Sequence, residues 1–387
     1  MKKTNFKNKK VVIVTHEAAT GPAQELRDFL VPKVKNLFFI AHPLLFFSEM
    51  EKKSSHYEKY QEGKLIKKHQ AVHWPFPEYL SYFKDCLYTF FWVLTSKDSY
   101  DLFIGSGNIN AFVGVILRKL GKVEKVVFYC IDYVPQRFNN RLVNNFYHWV
   151  DKICAEKCDL TLNLSPRMIE GREKRWGKSF PCQTVVPHGV HFHRIKRLPF
   201  REINKEEIVF MGSLLEKQGV QLVIKALPEI RKKIQDIRLT IIGTGPYEKN
   251  LKDLVKKLKL EKLVSFTGYV ESHQKLENLM AKGALGVALY NSAIDQFTYY
   301  ADPGKVKVYL GAGLPVVITD VPYIAKEIEK EKCGIIVDYN KKDIAEAITG
   351  LLKDEKKLQT YRQNALSYAK RFDWDKIFKE SLEKLLL

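Results

Sequence analysis

Short apolar runs alternate with amphipathic helical stretches along almost the whole chain, and few architectures accommodate that rhythm. A strand-length run followed by a helix must bury both, and repeating the pair builds a mostly parallel sheet with helices laid on it. Strands are expected at residues 11–15, 37–40, 102–104, 126–129, 160–164 and 184–186. The pattern then restarts, with strands at 208–211, 239–242, 264–267, 286–289, 315–318 and 334–337. The helices expected between them include 79–96, 141–158, 220–233, 247–260, 275–281, 324–331 and 344–352. Two more, 355–371 and 374–386, come at the end. Leu142, Phe146, Val150 and Cys154 recur every four positions, as one helix face requires. Residues 52–68 are charged and aperiodic and read as a mobile loop.

A chain of 387 residues exceeds one ordinary core and suits two domains. The aperiodic stretch 187–206, rich in His, Arg and Pro, marks the connector. The domains are therefore set at 1–195 and 196–372. Hydrophobic residues at 45% and charged residues at 28% are those of a globular protein. No signal peptide or membrane span is expected: 11–14 is too short a run, and Lys84 and Asp85 interrupt 80–94. Six cysteines without Cys-x-x-Cys or zinc spacing point to reduced, buried thiols and a cytoplasmic location. The net charge is +20 and uneven: residues 1–200 hold 32 Lys+Arg against 18 Asp+Glu, the remainder 32 against 26. The first half thus faces something anionic (a lipid surface, a phosphorylated acceptor, nucleic acid) or is a solvated lysine-rich surface.

Three strand-to-helix junctions in the second half carry anion-binding chemistry. Gly243 and Gly245 follow the strand at 239–242, where glycine lets backbone N–H groups approach a phosphate at a helix start. Gly212 and Ser213 end the strand at 208–211, and Lys217 follows within reach of an anion. Asp302-Pro303-Gly304-Lys305 opens a helical turn, so that Lys217, Lys305 and free N–H groups meet one diphosphate and stabilise charge on it as it departs. No metal-type carboxylate cluster accompanies them, so no obligatory metal or other cofactor is expected.

These segments resemble retaining glycosyltransferases of family 4 (glycosyl transferases group 1). Gly212-Ser213-Leu214 with Glu216-Lys217-Gln218-Gly219 is similar to that family's Gly-Arg-Leu…Glu-Lys-Gly. Val186-Pro187-His188-Gly189-Val190 resembles its Ile-Pro-Asn-Gly-Val connector, and residues 239–245, 264–270 and 302–317 match its later blocks. The resemblance implies the GT-B fold: α/β, with two Rossmann-like domains facing across a cleft. It also implies a final helix, 373–387 after Phe372, that crosses back to the first domain. The donor would be a nucleoside-diphosphate sugar of UDP or GDP type, held by Lys217, Lys305 and the glycine loops. Tyr269 and Val270 would lie near the base, and transfer would proceed with retention. The chain departs from the family at Ser213, usually arginine, and at Tyr300 and Val308, where paired glutamates usually stand. Asp302, the nearest acid, is the candidate donor contact in their place.

The first half is expected to bind the acceptor, a glycan or lipid-linked saccharide. Strand ends there carry His16, Gly105-Ser106-Gly107-Asn108 and Asp132. His16 and Asp132 are the candidates to orient an acceptor hydroxyl. The aromatics of 79–96 suit core packing or an anionic membrane surface, on the inner face of which the protein would be peripheral. Rival readings are a non-catalytic nucleotide-sugar-binding protein, a nucleic-acid binder and a dehydrogenase. Nucleic acid is not expected, because no recognition motif accompanies the charge. A dehydrogenase would need a third glycine and a ribose acid.

Overall fold

A computed structural model describes residues 6–17, 21–44, 52–74, 76–291, 293–294 and 296–386. The chain forms two compact units. Residues up to Pro187, joined by Ile377 onward, make the first, and His188–Lys376 the second.

The first unit has eight strands: β1 (Lys10–Glu17), β2 (Asn36–Pro43), β3 (His56–Gln61), β4 (Lys64–Gln70), β5 (Tyr100–Ser106), β6 (Val123–Cys130), β7 (Leu160–Asn163) and β8 (Gln183–Val185). Their order is β4-β3-β2-β1-β5-β6-β7-β8, parallel from β2 to β8, with β3 antiparallel to both β2 and β4. Helices α1 (Pro22–Leu30), α2 (Glu78–Leu94), α3 (Asn108–Lys119), α4 (Arg141–Lys157) and α5 (Pro166–Trp176) connect them. Val11–Val14 and Phe38–Ile40 are buried throughout, because helices cover both faces of the parallel strands.

The region expected as a mobile loop is instead the β3–β4 hairpin. Glu62 and Gly63 both take positive φ, 48° and 81°, the two-residue turn that matches strand twist. Periodicity missed it because every residue of β4 is exposed. An edge strand studded with lysine resists pairing with other chains and has no apolar face to read.

The second unit has six parallel strands: β9 (Glu207–Met211), β10 (Arg238–Ile242), β11 (Val264–Gly268), β12 (Leu285–Ala288), β13 (Val316–Thr319) and β14 (Gly334–Val337). Their order is β11-β10-β9-β12-β13-β14, so the winding reverses between β9 and β12. Its helices are α6 (Val220–Arg231), α7 (Glu248–Lys257), α8 (His273–Ala281), α9 (Phe297–Tyr300), α10 (Gly304–Gly311), α11 (Ile324–Lys330), α12 (Lys341–Leu352) and α13 (Glu355–Ala369). Val223, Ile224 and Leu227 of α6 and Ile344, Ile348 and Leu351 of α12 close over Phe210, Ile241 and Val287. The last helix, α14 (Trp374–Leu386), begins in the second unit. Within the first unit its Phe378 ring lies 5.5 Å from Phe29.

Candidate functional site

In the second unit the site lies where the sheet reverses, at the carboxyl ends of β9 and β12, the position at which open α/β sheets bind ligands. Backbone bonds stitch three loops together there. Gly212 N donates to Ile242 O, Leu214 N to Thr244 O and Gly243 N to Gly268 O. Gly243 takes φ 131°, and a Cβ on it would lie 2.1 Å from Gly212 O. A Cβ on Gly245 would lie 2.5 Å from Leu214 O. Both glycines therefore let one loop backbone rest on its neighbour, a task the sequence reading had given to phosphate approach.

Lys305 enters this reversal point from the first turn of α10. Its Nζ donates to Gln218 Oε1 and lies 4.7 Å from the centre of the Phe210 ring and 5.1 Å from that of Tyr290. It is 3.3 Å from where a Gly212 Cβ would stand. Burial pushes its pKa down to about 7, and no carboxylate among the described residues offsets it. Lys217 is half-buried one residue before Gln218, so the short helical turn Glu216–Gln218 carries one cation and the side chain that receives the other. Ser213 is exposed beside them, and after β11 Tyr269 is 76% exposed with Val270 half-buried.

Asp302 has a different occupation from the donor contact expected of it. It is 9% exposed. Its Oδ1 accepts from Lys307 Nζ at 2.9 Å and its Oδ2 from His188 N at 2.8 Å. The carboxylate thus ties the connector to the start of α10. A Cβ on Gly304 would meet His188 Cε1 at 2.6 Å, so Gly304 is small to admit that imidazole. Neither Tyr300, which ends α9, nor Val308, inside α10, supplies a carboxylate.

In the first unit the sheet reverses between β1 and β5, and His16 stands at that end of β1. Residues 18–20 of its loop lie outside the described residues. Asn110 Nδ2 donates to Ser106 O at 2.7 Å and to His16 Nδ1 at 3.1 Å. Nδ1 is therefore the acceptor, and Nε2–H faces Asp85 Oδ2 at 3.3 Å. Both ring nitrogens of His16 are thus engaged, which fixes the orientation of the imidazole at the strand end. Asp85, on α2, is 2% exposed and also accepts from Ser55 Oγ at 3.0 Å. Burial opposes its ionisation, yet the surrounding His42, His16 and Lys84 hold its pKa well below the usual carboxylate range. Burial pushes His42 itself down to about 3, so it is neutral, and its Nε2 meets Thr89 Oγ1 at 2.8 Å.

A cavity of about 130 Å³ opens over this cluster, lined by His16, Pro43, Leu44, Phe76, Glu78, Ser81, Tyr82 and Asp85. The Tyr82 ring sits edge-on to His16 at 5.0 Å, and Arg137 lies close enough to act on the Tyr82 hydroxyl. Arg137 Nη1 reaches Asp132 Oδ2 at 3.1 Å. The fold thus brings His16 and Asp132 into one neighbourhood through Tyr82, which the sequence marks only as one of the aromatics of 79–96, and Arg137, which it does not mark. Asp132 Oδ1 is buried without a partner among the described residues, and burial raises its pKa. Asp85 and Asn110 were missed as well. The available signal was Asp85 itself, a charge inside an apolar helix that had been read as an interruption.

Residues 195–368 match the family model described as glycosyl transferases group 1. A glycosyltransferase assigned to colanic acid biosynthesis in Escherichia coli (strain K12) is 25% identical over 244 residues, 62% of this chain and 58% of its own length. The chain thus spans less than two thirds of that relative. The N-acetylgalactosamine-N,N'-diacetylbacillosaminyl-diphospho-undecaprenol 4-alpha-N-acetylgalactosaminyltransferase of Campylobacter jejuni is 25% identical over 71% of this chain and 73% of its own. The crystal structure of Anabaena HepE with UDP matches with a TM-score of 0.70 at 17% identity, over 97% of this chain and 99% of that one. Residues 195–368 thus match the glycosyl transferases group 1 model, on a chain whose two parallel-sheet domains have the GT-B fold of the solved glycosyltransferase structures.

Proposed function

We propose that this chain transfers a hexosyl group from a UDP- or GDP-type sugar to a hydroxyl of a glycan or lipid-linked acceptor. The setting is polysaccharide or glycolipid synthesis in the cytoplasm, and the anomeric configuration is retained. The second unit takes the donor and the first the acceptor. One observation carries the reading: Lys305 lies at the reversal of the second sheet, among loops bonded backbone to backbone, with no carboxylate beside it among the described residues. An anion fits there better than water. Lys305 and Lys217 neutralise the departing diphosphate, and Asp132 Oδ1, buried with its hydrogen bond unfilled among the described residues, is the acceptor-side candidate to pair with a hydroxyl. The UDP bound by Anabaena HepE and the diphospho-undecaprenol in the Campylobacter relative's name support this reading.

Thermal unfolding with UDP, GDP and their sugars tests it. Lys305→Ala is expected to weaken nucleoside-diphosphate binding by about 1.5–3 kcal/mol, as for a charge-assisted hydrogen bond. Unchanged affinity removes the site. The engaged ring of His16 favours a second reading, a non-catalytic nucleotide-sugar-binding protein. Binding without sugar transfer to any supplied glycan or lipid acceptor would select it.

A further inference from the structure

Helix α2 is built inside out. Its inward line is Ser81, Asp85, Thr89 and Val93, and three of those four are polar. Ser55 and His16 bond Asp85, and His42 bonds Thr89, so a polar seam holds the helix to its unit. Every exposed residue of α2 is apolar or aromatic: Tyr79, Leu80, Phe83, Leu87 and Phe91. Phe83 is 63% and Phe91 54% exposed. Positions 80, 83, 87 and 91 share one face, which on an ordinary surface helix would point to the core. A helix in water normally has the reverse arrangement. This one suits an apolar phase outside the protein.

We propose that this face of α2 lies on an anionic lipid bilayer. Two observations select that occupant. First, residues 1–200 carry 32 Lys+Arg against 18 Asp+Glu. The basic strand β4, with Lys64, Lys67 and Lys68 exposed, flanks the helix: Trp92 of α2 packs 5.1 Å from Tyr57 and 5.9 Å from His69. Basic residues beside an exposed apolar helix face match anionic headgroups. Second, no described helix is long and apolar enough to cross a membrane, so α2 lies along the surface. The first turns of α2 line the 130 Å³ cavity through Glu78, Ser81, Tyr82 and Asp85. A lipid-borne glycan could then place its head in the cavity while its tail stays in the bilayer. That last step rests on the function proposed above, whereas the docking does not.

The test is co-sedimentation of the full chain with vesicles of phosphatidylcholine mixed with phosphatidylglycerol, and of phosphatidylcholine alone. The wild type is expected to bind the mixed vesicles and to release them as salt rises. The double substitution Phe83→Ser with Phe91→Ser is expected to weaken binding by about tenfold or more, with UDP or GDP thermal shifts unchanged. No binding by the wild type, or equal binding by the variant, overturns the proposal. So does concentration-dependent dimerisation that the same substitutions abolish without any vesicle binding. Should the double variant not fold, Leu87→Cys carrying an environment-sensitive fluorophore gives the answer. Its emission shifts to the blue on mixed vesicles, and an unshifted spectrum overturns the proposal. The nucleotide shifts report the donor site separately, so either idea can fail alone.

Discussion

Lys305 and Lys307 stand two residues apart on α10 and live by different rules. Lys307 is 2% exposed and bonded to Asp302, over the Phe372 ring at 4.0 Å. Removing Asp302 leaves that ammonium buried and unpaired. Asp302→Ala is therefore expected to cost about 3–5 kcal/mol of stability, measured by urea unfolding. A loss of nucleotide affinity with stability intact would return Asp302 to the role of donor contact. Lys305 has no acid beside it among the described residues, and its pKa of about 7 lies below the ordinary 10.5. Between those values the unfolded chain binds more protons at this residue than the folded one, so its contribution makes stability rise with pH from about 7 to about 10.5. Lys305→Met is expected to flatten that part of the slope. Diphosphate affinity runs the other way and falls as pH rises past about 7, because the anion prefers the protonated lysine. A pH-independent affinity would separate Lys305 from the anion.

At the scale of elements, the loops of the second sheet are joined through contacts no side chain could share. Gly243→Val places a Cβ against Gly212 O at a φ of 131°. The substitution is expected to lower the melting temperature of the second unit and to cost about 2 kcal/mol or more. A variant that melts like the wild type but no longer binds UDP would instead reinstate phosphate approach as the reason for the glycine. The strands around this junction were legible because 208–211 and 239–242 are apolar runs buried on both faces. The β3–β4 hairpin was not, since its only clear signal is the turn at Glu62-Gly63. Helix α2 was legible as a helix but not in its orientation. Periodicity reports an apolar stripe and says nothing of which side faces the sheet. Density in aromatics suited a core as well as a membrane, and only the burial of Asp85, Thr89 and Ser81 shows that the apolar stripe faces outward. His16 and Asp132 could be named because strand ends can be counted. Asn110 and Arg137 could not, and Tyr82 stood out only as an aromatic, because helices and loops distant in sequence deliver them.

For the molecule as a whole, the proposed function divides the chemistry between the two units. Hydrogen exchange with saturating nucleoside diphosphate is expected to slow amides at Gly212–Leu214, Gly243–Gly245 and the start of α10. Amides of β1, α2 and α3 are expected to keep their rates. Protection concentrated around His16 and Asn110 would move the donor to the first unit. The inverted α2 also has a consequence in the test tube. A protein of net charge +20 is ordinarily kept dispersed by mutual repulsion among its molecules. Ammonium sulfate weakens that repulsion and strengthens the tendency of Leu80, Phe83, Leu87 and Phe91 to find cover. Charge and apolar face thus respond to the same salt in a way that favours clustering, so precipitation should begin at a lower concentration than the charge alone suggests, and a mild detergent should delay it.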